Sequence, residues 1–278
     1  MCRLYGFRAN EPTKLECTLA YAQNALLSQS RADLRGTSHP DGWGIGFYEN
    51  SEPAIERRAT AAYEDLHFSA TAERMFAQTV VAHVRKATVG AADLANTHPF
   101  AHLRWMFIHN GTVRAFDRVR PLLEEQTAPE LLRLRRGTTD SELTFYWLLT
   151  RMKRTGIDLS GLPSSATIVV DSVGAAVKTL DQWCTREGAE RPAQLNFILT
   201  DGHALVASRW GNSLHWVERE GVHDCEICGI PHVRHVDGTN YRAVVIASEP
   251  ITHEAWREVP EGTLLLVEDS TMATILRL

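Results

Sequence analysis

From residue 193 onward the chain is dominated by short apolar segments of strand type: AQLNFILT, ALVASRW, SLHWVE, YRAVVIAS and TLLLVED. Runs of this length and β-branched content, set between polar turns, read as strands. More of the same type lie upstream. Residues 2–8 alternate and read as a strand that starts at the terminus itself. QTVVAHVRKATVG reads as a strand leading into a loop. WMFIHNGTV reads as a short strand ending in the turn-forming pair Asn110–Gly111. SHPDGWGIGFYEN reads as a turn followed by a Gly-rich strand, where glycine marks a bulge or a close backbone approach. Helical spacing is confined to three stretches. Residues 13–27 carry Leu15, Leu19, Ala22 and Leu26 on one side; 119–152 has one break at RRGTTDSE; 172–186 forms the third. Thr139 or Asp140 caps the helix after that break, and Phe145, Leu148, Leu149 and Met152 share its apolar face. Strands pairing around helices, not a βαβ parallel ladder, is the expected organisation.

Composition removes several function classes. A length of 278 residues suits one large domain or two small ones, and no linker, repeat or low-complexity tract divides it. Hydrophobic residues at 44% and charged residues at 23% are ordinary for a globular chain. A net charge of −5 offers no basic footprint for nucleic acid, and Arg133, Arg135 and Arg136 with their acidic flanks read as a solvated helix face. No apolar run approaches the roughly 18 residues that span a bilayer. MCRLYGFRAN has no apolar signal-peptide core, so a cytoplasmic location is expected. The five cysteines (Cys2, Cys17, Cys184, Cys225, Cys228) are odd in number and irregularly spaced, which argues against a disulfide framework. In a reducing compartment they are available for nucleophilic or metal chemistry.

Four segments carry the chemistry: Cys2–Arg3, HVRKAT at 83–88, HNG at 109–111 and TDSE at 139–142. Taken singly, each has a plainer reading. Cys2 is then an incidental terminal thiol, Arg85 a surface ion-pair partner, Asn110–Gly111 a hairpin turn and Asp140 a helix cap. Taken together, their order and spacing resemble the class II glutamine amidotransferase domain, a member of the N-terminal-nucleophile hydrolases. HPDGWGIGFY at 39–48, NTHPF at 96–100 and ASEP at 247–250 resemble the stand-alone branch of that family, which includes γ-glutamyl amide hydrolases. The resemblance covers about residues 2–270. It implies an α+β, four-layer αββα fold with two mainly antiparallel sheets between helices. It also implies a single domain over 1–278, with Met1 removed on maturation.

The residues support that chemistry on their own terms. Loss of Met1 would leave a thiol and an α-amine on one residue. An α-amine has a pKa of about 8, so part of it is neutral near pH 7 and accepts the thiol proton. Thiolate is the attacking species, and Cys2 supplies nucleophile and base together. A tetrahedral intermediate needs donors aimed at its oxygen, and Asn110 and Gly111 match the family's oxyanion hole. A γ-glutamyl substrate carries an α-carboxylate and an α-ammonium, both needing partners once desolvated. Arg85 matches the family's carboxylate-binding arginine, Asp140 the acid facing the ammonium, and Thr88 a threonine lining the same pocket. His83, His98 and His109 read as structural, since the mechanism does not need them. Trp43 and Gly44 read as pocket wall or as packing.

A second cluster lies in HDCEICGIPHVRH, residues 223–235. Cys225 and Cys228, with His223 and His232 as further ligands and His235 nearby, have donor types suited to a structural zinc ion. The plainer reading is a polar loop between two strands. The resemblance requires no cofactor for catalysis. Lys86 departs from it, standing where synthase-linked relatives carry an aromatic. No synthase domain follows in this chain, so the partner is a small-molecule substrate, with a separate synthase subunit as the alternative and neither nucleic acid nor membrane expected. Three functions remain in view: γ-glutamyl amide hydrolysis, ammonia supply to a partner, and non-catalytic γ-glutamyl binding.

Overall fold

The computed structural model describes residues 2–161, 165–234, 238–269 and 271–278. Among the described residues thirteen strands lie in two sheets. In chain order they are β1 (Arg3–Lys14), β2 (Trp43–Glu49), β3 (Glu52–Arg58), β4 (Phe76–Val84), β5 (Phe100–His102), β6 (Trp105–Thr112), β7 (Gln194–Thr200), β8 (Leu205–Arg209), β9 (His215–Glu220), β10 (Arg242–Ala247), β11 (Arg257–Glu258), β12 (Thr263–Val267) and β13 (Ala273–Arg277). The seven-stranded sheet runs β11-β9-β10-β1-β4-β2-β3, and the six-stranded sheet runs β13-β12-β8-β7-β6-β5. Every pairing among these strands is antiparallel.

Strand alternation explains the layers. On β1, Tyr5, Phe7 and Ala9 face a core shared with Leu19, Leu26 and Phe68, whereas Leu4 faces Ile108, Ile198 and Ile246 between the sheets. On β6, Met106 and Ile108 enter that same inter-sheet core, while Trp105 and Phe107 turn outward to Phe145, Leu149 and Val177. Successive side chains of a strand point to opposite faces, so one strand serves two cores. Helices α1 (Leu26–Arg31) and α2 (Leu66–Arg74) cover the first sheet. Helices α3 (Phe116–Gln126), α5 (Asp140–Arg154) and α6 (Ala166–Arg186) cover the second, with the single turn α4 (Pro129–Leu132) beside α5. The result is helix, sheet, sheet, helix, as the resemblance implied. The sheets approach closely: a Cβ on Gly6 would stand 2.6 Å from Ile198 Cδ1, and one on Gly46 2.6 Å from Met106 Sδ.

Several expectations need correction. The helix read over 13–27 is split. β1 continues to Lys14, whose N–H donates to His232 O at 2.9 Å, then a π-turn spans Cys17–Tyr21 and α1 starts only at Leu26. Pairing with Phe76 of β4 and the bond to the His232 carbonyl outweigh the local helical spacing. Asn110–Gly111 is not a hairpin turn, because β6 runs on to Thr112 and pairs Asn110 with Asn196 and Gly111 with Leu195. α5 is buried nearly all round, not on one face, because α3, α4 and α6 flank it above the second sheet. The stretch 119–152 breaks twice, at Thr127–Ala128 and again before Asp140. β3, β13 and α2 carry too weak a pattern to be read from the sequence. Among the described residues no helix is long and apolar enough to cross a membrane.

Candidate active site

Register builds the site. β1 pairs antiparallel with β4, matching Arg3 to Val84, so the residue before β1 lies beside the residue after β4. Cys2 accordingly meets the 85–88 loop. Its Sγ accepts the Lys86 N–H at 3.3 Å and lies 3.4 Å from Lys86 O. Burial pushes the half-buried thiol's pKa up, and the Lys86 N–H and the Arg85 charge pull it down. A thiol in this position needs a local base to become thiolate near neutral pH.

A buried ion network fixes the strand from behind. Arg3 pairs with Asp33 and, at 2.8 Å, with Glu249, while its other nitrogen donates to Cys2 O at 2.9 Å. Asp33 also accepts from His39 at 3.2 Å and from the backbone of Arg35 and Thr37. One cation facing two carboxylates, each holding further donors, satisfies the conditions under which buried charge is tolerated. Ser248 adds a second tie. Its Oγ accepts both the Leu4 N–H at 3.0 Å and the Asn110 side-chain amide at 3.2 Å. The Asn110 amide keeps a second N–H, and Asn212 holds Asn110 O at 2.8 Å. Gly111 is required by space alone: a Cβ there would stand 1.8 Å from Gln194 O.

Arg85 is buried, with a guanidinium that meets only carbonyls: Ala91 at 2.9 Å, Val89 at 3.0 Å, Gly90 at 3.1 Å and Asp41 at 3.5 Å. Among the described residues no carboxylate lies within ion-pair reach of it, and burial lowers its pKa. It clamps the 89–91 loop and presents a positive charge toward Cys2. Thr88 is exposed at the rim, 3.4 Å from Thr112 Oγ1. Asp140 is buried at the first turn of α5, where it accepts the N–H groups of Val113 at 2.8 Å and Ser141 at 2.9 Å. Carboxylate at a helix N-terminus is favourable, and Thr139 supplies the cap itself by accepting from Glu142 N–H at 3.2 Å. Asp140 and Arg85 both act electrostatically on Cys2, in opposite senses.

The three histidines are buried, but both ring nitrogens of His98 and Nδ1 of His83 have no hydrogen-bond partner among the described residues. His83 and His98 rings stand 4.2 Å apart, and His83 donates to His109 O at 3.1 Å. Burial drives the His83 pKa down to about 3, holds His98 well below the ordinary value and lowers His109, so all three are neutral near pH 7. Trp43 is buried against Phe68, and a Cβ on Gly44 would stand 2.0 Å from His98 O, so both positions are set by packing. Ser248, Glu249, Asp33 and Asn212 were not assigned from the sequence. The ASEP segment signalled that 247–250 matter, but no pattern reveals that Glu249 is the partner of Arg3.

The second cluster has a different membership from the expected one. Cys17, Cys225, Cys228 and His232 place their ligand atoms within 4.8 Å of one another. His223 stands outside: it is exposed, and its Nε2 lies 2.9 Å from Glu220 O, folded back on β9. His235 lies outside the described residues.

Two antiparallel sheets lie between helices, and the Cys2 thiol stands at the head of the first strand. The family model for class II glutamine amidotransferases matches residues 1–277, and the chain belongs to that family and is an enzyme. It is similar to a protein of Saccharomyces cerevisiae named probable glutamine amidotransferase DUG3, at 29% identity over 98% of this chain and 83% of that one. It is also 29% identical to the γ-glutamyl-hercynylcysteine sulfoxide hydrolase of Mycobacterium tuberculosis, over 96% of this chain and 93% of the relative. A predicted glutamine amidotransferase of Pseudomonas aeruginosa shares the fold, with TM-score 0.64 and 24% identity over 98% of this chain and 99% of that one. The B. subtilis glutamine phosphoribosylpyrophosphate amidotransferase does so with TM-score 0.61 and 16% identity, over 99% of this chain but 49% of that chain.

Proposed function

We propose that the protein hydrolyses γ-glutamyl amide bonds through Cys2, with residues 1–278 acting as one unit from which Met1 has been removed. The freed α-amine takes the thiol proton, and Sγ attacks the γ-carbonyl carbon. The oxyanion is met by the free Asn110 amide N–H and the Gly111 backbone. Collapse forms a γ-glutamyl thioester and expels the amine, which leaves with the proton that the α-amine held. Water then adds to the thioester, the C–S bond breaks, and glutamate and the Cys2 thiol are released. No cofactor takes part.

The observation that carries this reading is the seat of Cys2 Sγ on the Lys86 backbone, under the influence of both the Arg85 and Asp140 charges. A glutamyl head has one negative and one positive group at its α-carbon. Arg85 is a buried cation without an anionic partner among the described residues, and a substrate carboxylate supplies one by displacing the 89–91 carbonyls. Asp140 faces the α-ammonium, and Thr88 lines the rim. Hydrolysis is favoured over ammonia delivery because the mycobacterial relative named as a hydrolase matches over nearly its whole length. A reducing cytoplasmic setting suits the five unpaired thiols.

The test is glutamate release by the processed enzyme from glutamine and a panel of γ-glutamyl amides, with intact mass confirming that residue 2 leads the chain. Release from γ-glutamyl amides exceeding that from glutamine supports hydrolysis of a larger substrate. Preference for glutamine, stimulated by an added synthase, supports ammonia delivery. Binding of γ-glutamyl compounds with no release from any of them sinks the enzymatic assignment. Asp140→Ala is expected to raise KM far more than it lowers kcat.

A further inference from the structure

The geometry points to a structural zinc site formed by Cys17, Cys225, Cys228 and His232, which fastens the β9–β10 connection to the turn after β1. The four ligand atoms lie within 4.8 Å of one another, although Cys17 is far from the others in sequence. Zinc in a tetrahedral Cys₃His site has Zn–S near 2.3 Å and Zn–N near 2.0–2.1 Å, which separates ligand atoms by roughly 3.5–3.8 Å. Cys228 Sγ and His232 Nε2 stand 2.9 Å apart. An ion at the centre therefore asks that pair to open by about 0.6 Å and the wider pairs to close, which is a rotamer adjustment.

The backbone is arranged for a charged sulfur. Ile227 N–H points at Cys225 Sγ at 3.4 Å. Cys225 closes a turn on itself, donating to Ile230 O at 3.1 Å and accepting from Gly229 N–H at 2.8 Å, with Gly229 at φ +73°. That left-handed glycine lets the Cys225-x2-Cys228 pair present both sulfurs to one side. The other two ligands are held independently. Cys17 is buried in its π-turn, whose Ala22 N–H bonds Cys17 O at 2.7 Å, and His232 is held by the Lys14 N–H on its carbonyl at 2.9 Å. Binding Zn²⁺ would send three thiol protons to solvent, and the neutral imidazole would bind through Nε2.

The loop also needs such a tie. Val222 and Val233 pack on the core at its ends, but Ile227 and Ile230 between them are 40% and 58% exposed, so hydrophobic burial does little to order its middle. Small segments without a core are commonly fixed by a metal. A soft set of three thiolates and one imidazole selects zinc over magnesium or calcium. Twelve residues of β1 separate this site from Cys2, on the order of 35–40 Å of extended chain, so the ion stands outside the hydrolytic chemistry.

The test is metal analysis of the full chain purified without chelator, followed by cobalt substitution. We expect about one zinc per chain, and a cobalt form with tetrahedral d–d bands and a thiolate charge-transfer band. Cys17→Ser should cut zinc content several-fold, whereas His223→Ala should leave it unchanged. His232→Cys should retain the ion and alter the cobalt charge-transfer band. Chelation should speed proteolytic cleavage between residues 221 and 240 about tenfold while thiol counts stay complete. Folded protein with every thiol free that takes up neither zinc nor cobalt overturns the proposal. So does a Cys225–Cys228 disulfide in freshly purified protein, iron in place of zinc, or zinc lost from His223→Ala but kept in Cys17→Ser.

Discussion

The two ends of β1 each present a cysteine, and the two are held in opposite ways. At the Cys2 end a buried polar network backs the strand: Arg3, Asp33 and Glu249 fix it from below, and Ser248 ties Leu4 to Asn110. At the Cys17 end the turn itself is buried, but the loop that faces it is exposed between Val222 and Val233, which pack on the core at its two ends. Rigid polar networks hold a reacting atom in place without occupying its coordination. Three converging sulfurs and an imidazole, with an ion among them, would fill every position with protein and leave none for substrate. On the functions proposed above, one end reacts and the other is tied.

The largest effect expected is at the reacting end. Cys2→Ala should lower turnover by roughly 10⁴-fold or more while zinc content and thermal unfolding stay as in the parent. Turnover that survives would break the comparison outright. Asn110→Ala should cost on the order of 10²–10³ in kcat by removing one oxyanion donor, read from steady-state kinetics.

Glu249→Ala leaves Arg3 with less compensation, and should cost about 3–5 kcal/mol of stability in urea unfolding. A cost below about 1 kcal/mol would show that the network positions the strand without holding the fold.

The smallest effect is on pH dependence. His83 and His98 are neutral in the folded state, with His83 held at about 3 against an ordinary 6.5. The unfolded chain therefore binds more protons below about pH 6.5, so the stability these residues contribute is complete above that value. It falls as pH drops toward about 3, by at most about 1.4 kcal/mol per unit for each histidine. Arg85, His109 and His39 face His83 and add to the depression. Urea midpoints between pH 6.5 and 5, ahead of most carboxylate titration, should fall in the parent and fall less in His83→Gln. Equal slopes would place the pH response elsewhere.

Much of the candidate site was legible before any coordinates, because it is written in short segments. HVRKAT, HNG and TDSE each sit at one strand end or helix start, so local pattern locates them. What escaped was pairing at long range. The glutamate that meets Arg3 and the thiol that meets Cys225 both lie more than 200 residues away along the chain. Helix boundaries failed for a related reason at 13–27, where spacing favours a helix and a cross-strand hydrogen bond overrides it.

The sequence by itself determined the residue types, their order and the alternation that sorts side chains to one face or the other, all of which depend on near neighbours and chain periodicity. Only the tertiary structure decided which thiols converge, that Arg85 faces carbonyls, and that Asn110 lies in a strand instead of a turn. Those outcomes depend on strand register and on the packing of one sheet against the other, and these bring together residues that share no local signal.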